Sequence, residues 1–295
     1  MKKPIFVGAG VAIITPFTED NKINFPKLEE LINYQIENGT DAIVICGTTG
    51  ESPCLDHEEH SAAIRFAVDV TAHRVPVIAG TGSNDTAYGI RLSNEAEKAG
   101  VDGLLMVTPY YNKASQDGLV RHYTKIAENV STPIILYNVP GRTGVNIQPQ
   151  TYKALSELKL INAVKEANGN IASVAETIHL CGDELNVYSG NDDQILPIVA
   201  LGGQGVISVL SHIVPKVAHD IVIEYKNGNV EKARQLQIEY FDLCRDLFCD
   251  VNPIPVKAAM NMMGWDVGEC RLPLSPLSEA NQKKLSATLA RHGLV

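Results

Sequence analysis

The chain has 295 residues, of which 45% are hydrophobic, and this is enough for one large core. Its net charge of −9, without a basic cluster, argues against binding to nucleic acid or to an anionic membrane surface. The six cysteines show neither C-x-x-C nor zinc-ligand spacing, which is typical of thiols in a reducing compartment.

The first residues imitate a short secretory signal, because Lys2 and Lys3 precede an apolar stretch at 5–14. Pro4 and two glycines interrupt this stretch, and no convincing A-x-A cleavage site follows. The stretch therefore serves better as a first strand. No apolar run approaches the roughly 18 residues that span a membrane, so we expect a soluble, cytoplasmic protein.

Short apolar runs recur along the chain with helical periodicity between them, which predicts strand–helix units. The predicted strands are 10–14, 42–46, 75–79, 103–107, 133–137, 161–165, 184–188 and 205–208. Eight such units favour an α/β fold with a closed parallel (β/α)8 barrel, the TIM barrel. A doubly wound open sheet is the alternative. Its dinucleotide fingerprint fails, because Gly80 and Gly82 are followed by Asp85 where a third glycine is needed.

The strand pattern stops after about residue 227. Helices are predicted at 230–250, 255–263 and 278–292, separated by glycine and proline. We therefore expect a catalytic barrel at 1–226 and a C-terminal helical extension at 227–295 that packs on it.

Lys165 stands at the carboxyl end of the sixth predicted strand. Catalytic groups of such barrels lie at this end of the strands. Removing water from a lysine amine disfavours the charged form and lowers the pKa. A neutral amine can attack a carbonyl carbon and form a Schiff base. The alternative is a lysine that only extends its amine to solvent from a strand end.

The second predicted strand is followed by Gly-Thr-Thr-Gly-Glu at 47–51. The backbone N–H groups of such a turn, with the hydroxyls of Thr48 and Thr49, can hold a carboxylate. An ordinary glycine turn is the alternative.

The fourth and fifth strands end in tyrosine-containing segments, Thr-Pro-Tyr-Tyr-Asn at 108–112 and Tyr-Asn-Val-Pro-Gly-Arg-Thr-Gly at 137–144. A buried tyrosine hydroxyl beside a lysine can pass protons during Schiff-base formation. The planar guanidinium of Arg142 suits a second carboxylate, although a surface arginine is the alternative. These ends therefore predict a site for a small acid.

The seventh strand leads into Ser-Gly-Asn-Asp-Asp at 189–193. Barrels of this kind usually bind phosphate after strands seven and eight. Asp192 and Asp193 would repel a phosphate group, so a phosphorylated substrate is disfavoured.

Residues 56–60, Asp-His-Glu-Glu-His, gather possible metal ligands, but the histidines are three apart and do not form H-E-x-x-H. Asp56 and Glu59 are instead a capping box for a helix start. We predict no metal site.

Four motifs in this order resemble the dihydrodipicolinate synthase family, of the pyruvate-dependent class I aldolase and N-acetylneuraminate lyase superfamily. They are 47–51, 108–112, 137–144 and Val-Lys-Glu-Ala at 164–167. The resemblance runs nearly end to end and includes Asn-Pro-Ile-Pro-Val-Lys at 252–257 and Arg-Leu-Pro at 271–273. It implies condensation of pyruvate with L-aspartate 4-semialdehyde to 4-hydroxy-tetrahydrodipicolinate, for lysine and diaminopimelate synthesis.

The resemblance also implies catalytic roles. Lys165 would form the Schiff base with pyruvate. Tyr137 would be the central proton-transfer group, linked to Thr49 and to Tyr111. Because the second tyrosine comes from a neighbouring subunit in this family, a homotetramer built as a dimer of dimers is expected.

The substrate contacts implied by the resemblance are as follows. Thr48 and Thr49 would hold the pyruvate carboxylate, and the backbone of Gly190 and Ile207 would line the pocket. Arg142 would bind the carboxylate of the semialdehyde. No organic cofactor or catalytic metal is implied, because the lysine Schiff base supplies the electron sink.

The sequence leaves two alternative functions open. A sibling lyase acting on another 2-oxo acid is disfavoured by Arg142, since N-acetylneuraminate lyases usually lack arginine there and carry Ser-Thr in place of Thr48-Thr49. A catalytically silent barrel that only binds a small acid or a partner protein is disfavoured by the joint presence of the catalytic residues.

The resemblance extends to an allosteric lysine site, whose matching positions are Ser52, His57, His60, Asn84 and Tyr110. Two positions depart from lysine-sensitive members: Tyr88 stands where a glutamate is usual, and Pro53 where a small residue is usual. A neutral phenol cannot give an ammonium group the charge-assisted contact of a carboxylate. We therefore expect lysine to inhibit weakly or not at all.

Overall fold

The computed structural model describes residues 2–295. Within this range eight parallel strands pair in chain order, and the last pairs with the first to close a barrel. The strands are β1 (Gly8–Ala12), β2 (Ala42–Ile45), β3 (Val77–Gly80), β4 (Gly103–Val107), β5 (Ile134–Asn138), β6 (Ile161–Glu166), β7 (Asn186–Ser189) and β8 (Gly205–Ser208). The predicted α/β class and (β/α)8 barrel are confirmed.

Helices connect the strands and also follow the last one. Those of the barrel are α1 (Phe25–Glu37), α2 (His57–Thr71), α3 (Thr86–Ala99), α4 (Gln116–Ala127), α5 (Pro140–Thr143), α6 (Pro149–Ser156), α7 (Ile171–Cys181), α8 (Ile195–Ala200) and α9 (Pro215–Lys226). Those after the barrel are α10 (Val230–Glu239), α11 (Phe241–Asp246), α12 (Ile254–Met262) and α13 (Glu279–Arg291). No helix within the described range is both long and apolar enough to cross a membrane.

Local sequence sets the helix ends near the site. At the start of α2, the Asp56 side chain accepts a hydrogen bond from the Glu59 backbone N–H at 2.8 Å, and the Glu59 side chain accepts one from the Asp56 N–H at 3.2 Å. This is the predicted capping box. Helix α3 ends at Gly100 with φ 92°, a left-handed conformation that glycine adopts without strain.

Several predicted element boundaries differ from the structure by one or two residues, as in the first strand, predicted at 10–14 and observed at Gly8–Ala12, and one predicted helix is split. The seventh strand begins later than predicted, because Gly182–Glu184 form a 3-10 turn before it. The helix predicted at 230–250 is broken at Tyr240 into α10 and α11. The break lets α10 pack against α8 and α9 while α11 packs against α13, which a single straight helix could not do.

Side chains alternate between the two faces of each strand. On β5 and β6, Tyr137 and Ala163 point into the barrel interior, whereas Leu136 and Val164 pack against the surrounding helices. Inside the barrel, the ring of Tyr188 stacks on that of Phe6 at a centroid distance of 4.4 Å. The interior is therefore a packed core that carries the site at its carboxyl end.

Candidate active site

Lys165 lies on the inner face of β6 and is only 6% exposed. It is the register partner of Tyr137 on β5, and its Nζ lies 4.4 Å from the centroid of the Tyr137 ring. Burial lowers the pKa of Lys165 to about 8, against the opposing effect of Asp192 and with a smaller contribution from Arg142. At pH 7.4 about one amine in five is then neutral, compared with roughly one in a thousand for an unperturbed lysine.

Tyr137 is buried beside this amine. Burial raises the pKa of its hydroxyl, while the nearby Arg142 and a hydrogen bond with the Thr48 side chain act in the opposite direction. The phenol therefore keeps its proton at neutral pH. It can donate that proton to a bound oxygen or pass it on.

The two threonines of the 47–51 turn have different partners. Thr48 bonds with Tyr137, whereas the Thr49 Oγ1 accepts a hydrogen bond of 2.9 Å from the side-chain amide of Asn252. The sequence-based link between Tyr137 and Thr49 therefore differs from the geometry, in which Thr48 is the partner of Tyr137. The spacing of adjacent threonines in a turn gives no signal for which hydroxyl faces which neighbour.

Arg142 belongs to the one-turn helix α5 and has an exposed side chain. Its Nη2 donates a hydrogen bond of 2.9 Å to the backbone carbonyl of Asn252. Arg142 also lines a cavity of about 440 Å³ together with Tyr137 and Thr48. A cation thus stands beside the buried lysine–tyrosine pair, where a small acid could be held.

Gly190 and Ile207 lie close to the same pair. A Cβ added at Gly190 would come within 3.2 Å of the Lys165 Cγ, so only glycine leaves this approach open. Ile207 is buried in the inner core with Tyr137. Gly190 therefore adjoins the lysine, and Ile207 belongs to the apolar cluster that contains Tyr137.

Tyr111 is not brought to Lys165 within one chain. Its side chain is 89% exposed, and its backbone is held at φ 73°, in the left-handed region that a tyrosine rarely adopts. Its neighbour Tyr110, by contrast, lines the cavity.

Asp192 is a residue whose role the sequence did not indicate. It is buried after β7, and its Oδ2 accepts hydrogen bonds from the backbone N–H groups of Val209 and Leu210 at 3.0 and 2.9 Å. Its charge favours the protonated form of Lys165. Lys165 on β6 and Asp192 after β7 come together because these two strands pair side by side, and no pattern within either segment indicates the contact.

Glu166 is a second such residue, on the outer face of β6. Its carboxylate accepts a hydrogen bond of 2.8 Å from the Tyr152 hydroxyl and another of 2.9 Å from the Asn138 amide. Burial raises the pKa of Glu166 to about 7, although these hydrogen bonds oppose the shift. This network joins β5, β6 and α6 directly behind the lysine.

The predicted allosteric positions lie at the other side of the cavity. Ser52, His60, Tyr88 and Tyr110 line it, and the Asn84 amide donates to the Tyr110 carbonyl at 3.2 Å.

His57 belongs to the same group, with its Nδ1 3.5 Å from the Tyr88 hydroxyl. A carboxylate is present nearby, but Glu95 already binds His57, Arg91 and Ser61. Within residues 2–295, no group of three or more histidine, cysteine or acidic side chains is arranged to hold a metal ion.

Comparison with known proteins agrees with this fold. A sequence model of the dihydrodipicolinate synthetase family matches residues 5–292. The chain is 54% identical to a 4-hydroxy-tetrahydrodipicolinate synthase of Acetivibrio thermocellus, over all of both chains. It is 51% identical to a dihydrodipicolinate synthase of known crystal structure, with a TM-score of 0.96 and coverage of 98% of this chain and 100% of the other.

A third relative is the dihydrodipicolinate synthase of Acinetobacter baumannii, whose crystal structure was determined in complex with pyruvate. It is 40% identical, with a TM-score of 0.96 and coverage of 98% of this chain and 99% of the other. The family model and both sequence identities extend over nearly the whole chain. The chain therefore belongs to the dihydrodipicolinate synthetase family.

Proposed function

We propose that the chain condenses pyruvate with L-aspartate 4-semialdehyde to 4-hydroxy-tetrahydrodipicolinate, the first committed step of lysine and diaminopimelate biosynthesis. The observation that carries this proposal is the buried Lys165 amine, whose pKa is lowered to about 8, in contact with the Tyr137 ring at the carboxyl end of the barrel. The activity is a lyase reaction of the class I aldolase type.

The pyruvate half of the reaction needs a neutral amine and a proton carrier. The neutral Lys165 amine attacks the keto carbon of pyruvate, and water leaves to give the Schiff base. Tyr137 supplies a proton to the departing oxygen, and Thr48 is its hydrogen-bond partner in this step. The hydroxyls and N–H groups of Thr48 and Thr49 hold the pyruvate carboxylate.

The second half needs a site for a small acidic aldehyde. Loss of a methyl proton converts the Schiff base to an enamine, whose carbon attacks the aldehyde carbon of the semialdehyde. Arg142 binds the carboxylate of this second substrate, because its guanidinium lies at the cavity wall beside Tyr137. Attack of the substrate amino group on the Schiff-base carbon then closes the ring and releases Lys165.

No separate cofactor is needed in this proposal. The protonated Schiff base withdraws electrons from the pyruvate methyl group. It thereby acts as the electron sink that a bound cofactor would otherwise provide. Gly190 and Ile207 complete the wall around the lysine.

We further propose that the working form is a homotetramer in which Tyr111 of one subunit completes the proton relay of its neighbour. The support is the position of Tyr111, almost fully exposed on a backbone held at φ 73°. A residue in a strained conformation without packing in its own chain suits a contact made only in the assembly. Sedimentation velocity would establish the oligomeric state.

The remaining assignments concern location and organisation. We propose that the protein acts in the cytoplasm, as the free state of all six cysteines and its biosynthetic activity suggest. We assign residues 1–226 to the catalytic barrel and 227–295 to the helical extension. We also propose that lysine inhibits weakly, because Tyr88 offers its ammonium group no charge.

Borohydride trapping tests the proposed chemistry directly. The protein is incubated with pyruvate, reduced with borohydride and digested, and the modified residue is located by mass spectrometry. The adduct is expected on Lys165. Loss of activity with an unmodified Lys165 would refute the mechanism, and absence of turnover with aspartate semialdehyde would refute the choice of second substrate.

A further inference from the structure

Asn252 joins the two halves of the proposed site although it belongs to the segment that follows the barrel. It precedes α12 and is 6% exposed. Its side-chain Nδ2 donates to Thr49 Oγ1 at 2.9 Å, and its backbone carbonyl accepts from Arg142 Nη2 at 2.9 Å. One residue therefore contacts both of the groups assigned to substrate carboxylates.

The contact with Thr49 constrains where its hydroxyl hydrogen can point. A hydroxyl has one hydrogen to donate and two lone pairs to accept with. The Asn252 amide occupies a lone pair, and no residue within 2–295 accepts the Thr49 hydrogen in the structure. That hydrogen is therefore left for a ligand.

Packing alone does not explain an asparagine at this position. Its Oδ1 is buried and lacks a hydrogen-bond partner among the described residues. A buried acceptor without a partner destabilises a protein, so an apolar side chain would serve the fold better. The Asn252 side chain therefore lowers the stability of the fold. This indicates that its Nδ2 donor, which binds Thr49 Oγ1, has a role other than packing.

Other contacts hold the 47–51 turn without Asn252. Glu51 forms a buried ion pair of 2.6 Å with Lys257, and it accepts a hydrogen bond of 2.8 Å from the Arg271 backbone N–H. The turn should therefore keep its place when the Asn252 amide is changed.

We propose that Asn252 is a positioning residue for pyruvate, whose amide donates to Thr49 so that the Thr49 hydroxyl presents its hydrogen to the pyruvate carboxylate. This inference rests on the proposed function. The Asn252 side chain affects the pyruvate half of the reaction, while the Asn252 backbone carbonyl holds Arg142 for the second substrate.

The test measures the pyruvate concentration that half-saturates borohydride trapping of Lys165, by mass spectrometry of the intact folded protein. Asn252→Ala removes the donor, and Asn252→Asp replaces it with an acceptor that turns the Thr49 hydrogen away from the ligand. We expect both to raise the half-saturating concentration about tenfold or more. In steady-state assays, KM for pyruvate should rise while KM for the semialdehyde changes less than about twofold.

Asn261→Ala is the matched control. The Asn261 side chain also bridges parts of the segment after the barrel, by accepting from the Val267 N–H and donating to the Gly268 carbonyl, and it does not contact Thr49. Its half-saturating concentration should equal that of the unchanged protein. Asn252→Asp keeps the side-chain volume and carries the test if the alanine variant does not fold.

Three results would count against the inference. If Asn252→Asp had the same half-saturating pyruvate concentration as the unchanged protein, the amide would not donate to Thr49. A further tenfold rise when Asn252→Ala is added to Thr49→Val would show that Asn252 acts by another route. Failure of the unchanged protein to form any pyruvate adduct would overturn the proposed function and this inference together, whereas normal trapping in all variants would overturn the inference alone.

Discussion

Glu166 and Asn138 are register partners on β6 and β5, and the Asn138 amide donates to the Glu166 carboxylate at 2.9 Å. The same register, one residue earlier, pairs Lys165 with Tyr137 on the inner face of the barrel. A buried network on the outer face thus fixes the relative height of the two strands that carry the lysine and the tyrosine.

Glu166→Gln should change how stability depends on pH. Burial raises the folded-state pKa of Glu166 to about 7 from 4.5, so its favourable contribution is complete below pH 4.5 and is lost as pH rises through 7. Relative to the glutamine variant, the unchanged protein should lose about 3 kcal/mol of unfolding free energy over this window. Urea denaturation at pH 5 and pH 8 measures the change. An equal difference at both pH values would contradict the shifted pKa.

The rate of the pyruvate half should follow the ionisation of Lys165. In the proposed mechanism its neutral amine is the nucleophile, and its pKa is about 8, so kcat/KM for pyruvate should rise about tenfold per pH unit below pH 8 and level off above it. Initial rates between pH 6 and pH 9, with the semialdehyde saturating, give this profile. A plateau extending down to pH 6.5 would mean that another step or group sets the rate.

Lys165→Met should abolish catalysis while making the fold more stable. The activity should fall at least about a thousandfold, because no Schiff base can form. The lowered pKa of about 8 means that below pH 8 the buried charge costs about 3 kcal/mol of stability, which the protein regains between pH 8 and 10.5. The methionine variant should therefore unfold at higher urea concentration at pH 7, and this advantage should shrink at pH 10. A less stable variant at pH 7 would contradict the burial argument.

Arg142→Ala should impair the reaction with the semialdehyde but not the binding of pyruvate. Removing the guanidinium should lower kcat/KM for the semialdehyde about a hundredfold, because a charge-assisted contact to its carboxylate is lost. Pyruvate trapping on Lys165 should persist. Arg121→Ala, at an exposed position on α4, is the matched control and should behave as the unchanged protein. Equal losses for both substrates would assign Arg142 to the pyruvate half instead.

Tyr88→Glu should introduce sensitivity to lysine. Tyr88 lines the cavity near His57 and His60, so a carboxylate there would give the lysine ammonium group a charged partner. We expect the unchanged protein and Tyr88→Phe to keep their activity at sub-millimolar lysine, and the glutamate variant to be inhibited. Strong inhibition of the unchanged protein would refute the proposed insensitivity.

The sequence predicted the barrel because each strand is a short apolar run between helical segments, and this pattern is local. It also predicted that Lys165, Tyr137 and Arg142 lie near one another, since the fold brings all strand ends to one face. It could not predict contacts between distant segments. The contact of Asn252 with Thr49 depends on how the extension packs, and that of Asp192 with Lys165 depends on the pairing of β6 with β7.

The sequence also does not show which way a side chain in a turn points. Thr48 and Thr49 are adjacent and chemically identical, and the backbone path around them includes two residues in the left-handed region, Cys46 and Glu51. A composition pattern does not encode such a backbone path.

The ion pair between Glu51 and Lys257 also bears on when the protein becomes active during its synthesis. Glu51 leaves the ribosome early, and Lys257 emerges only after all eight strands have been made. Until then the 47–51 turn, which we propose binds pyruvate, lacks both this charge partner and the amide of Asn252. We therefore expect a nascent chain that has completed its barrel, but has not yet reached Lys257, to lack a fully assembled 47–51 turn.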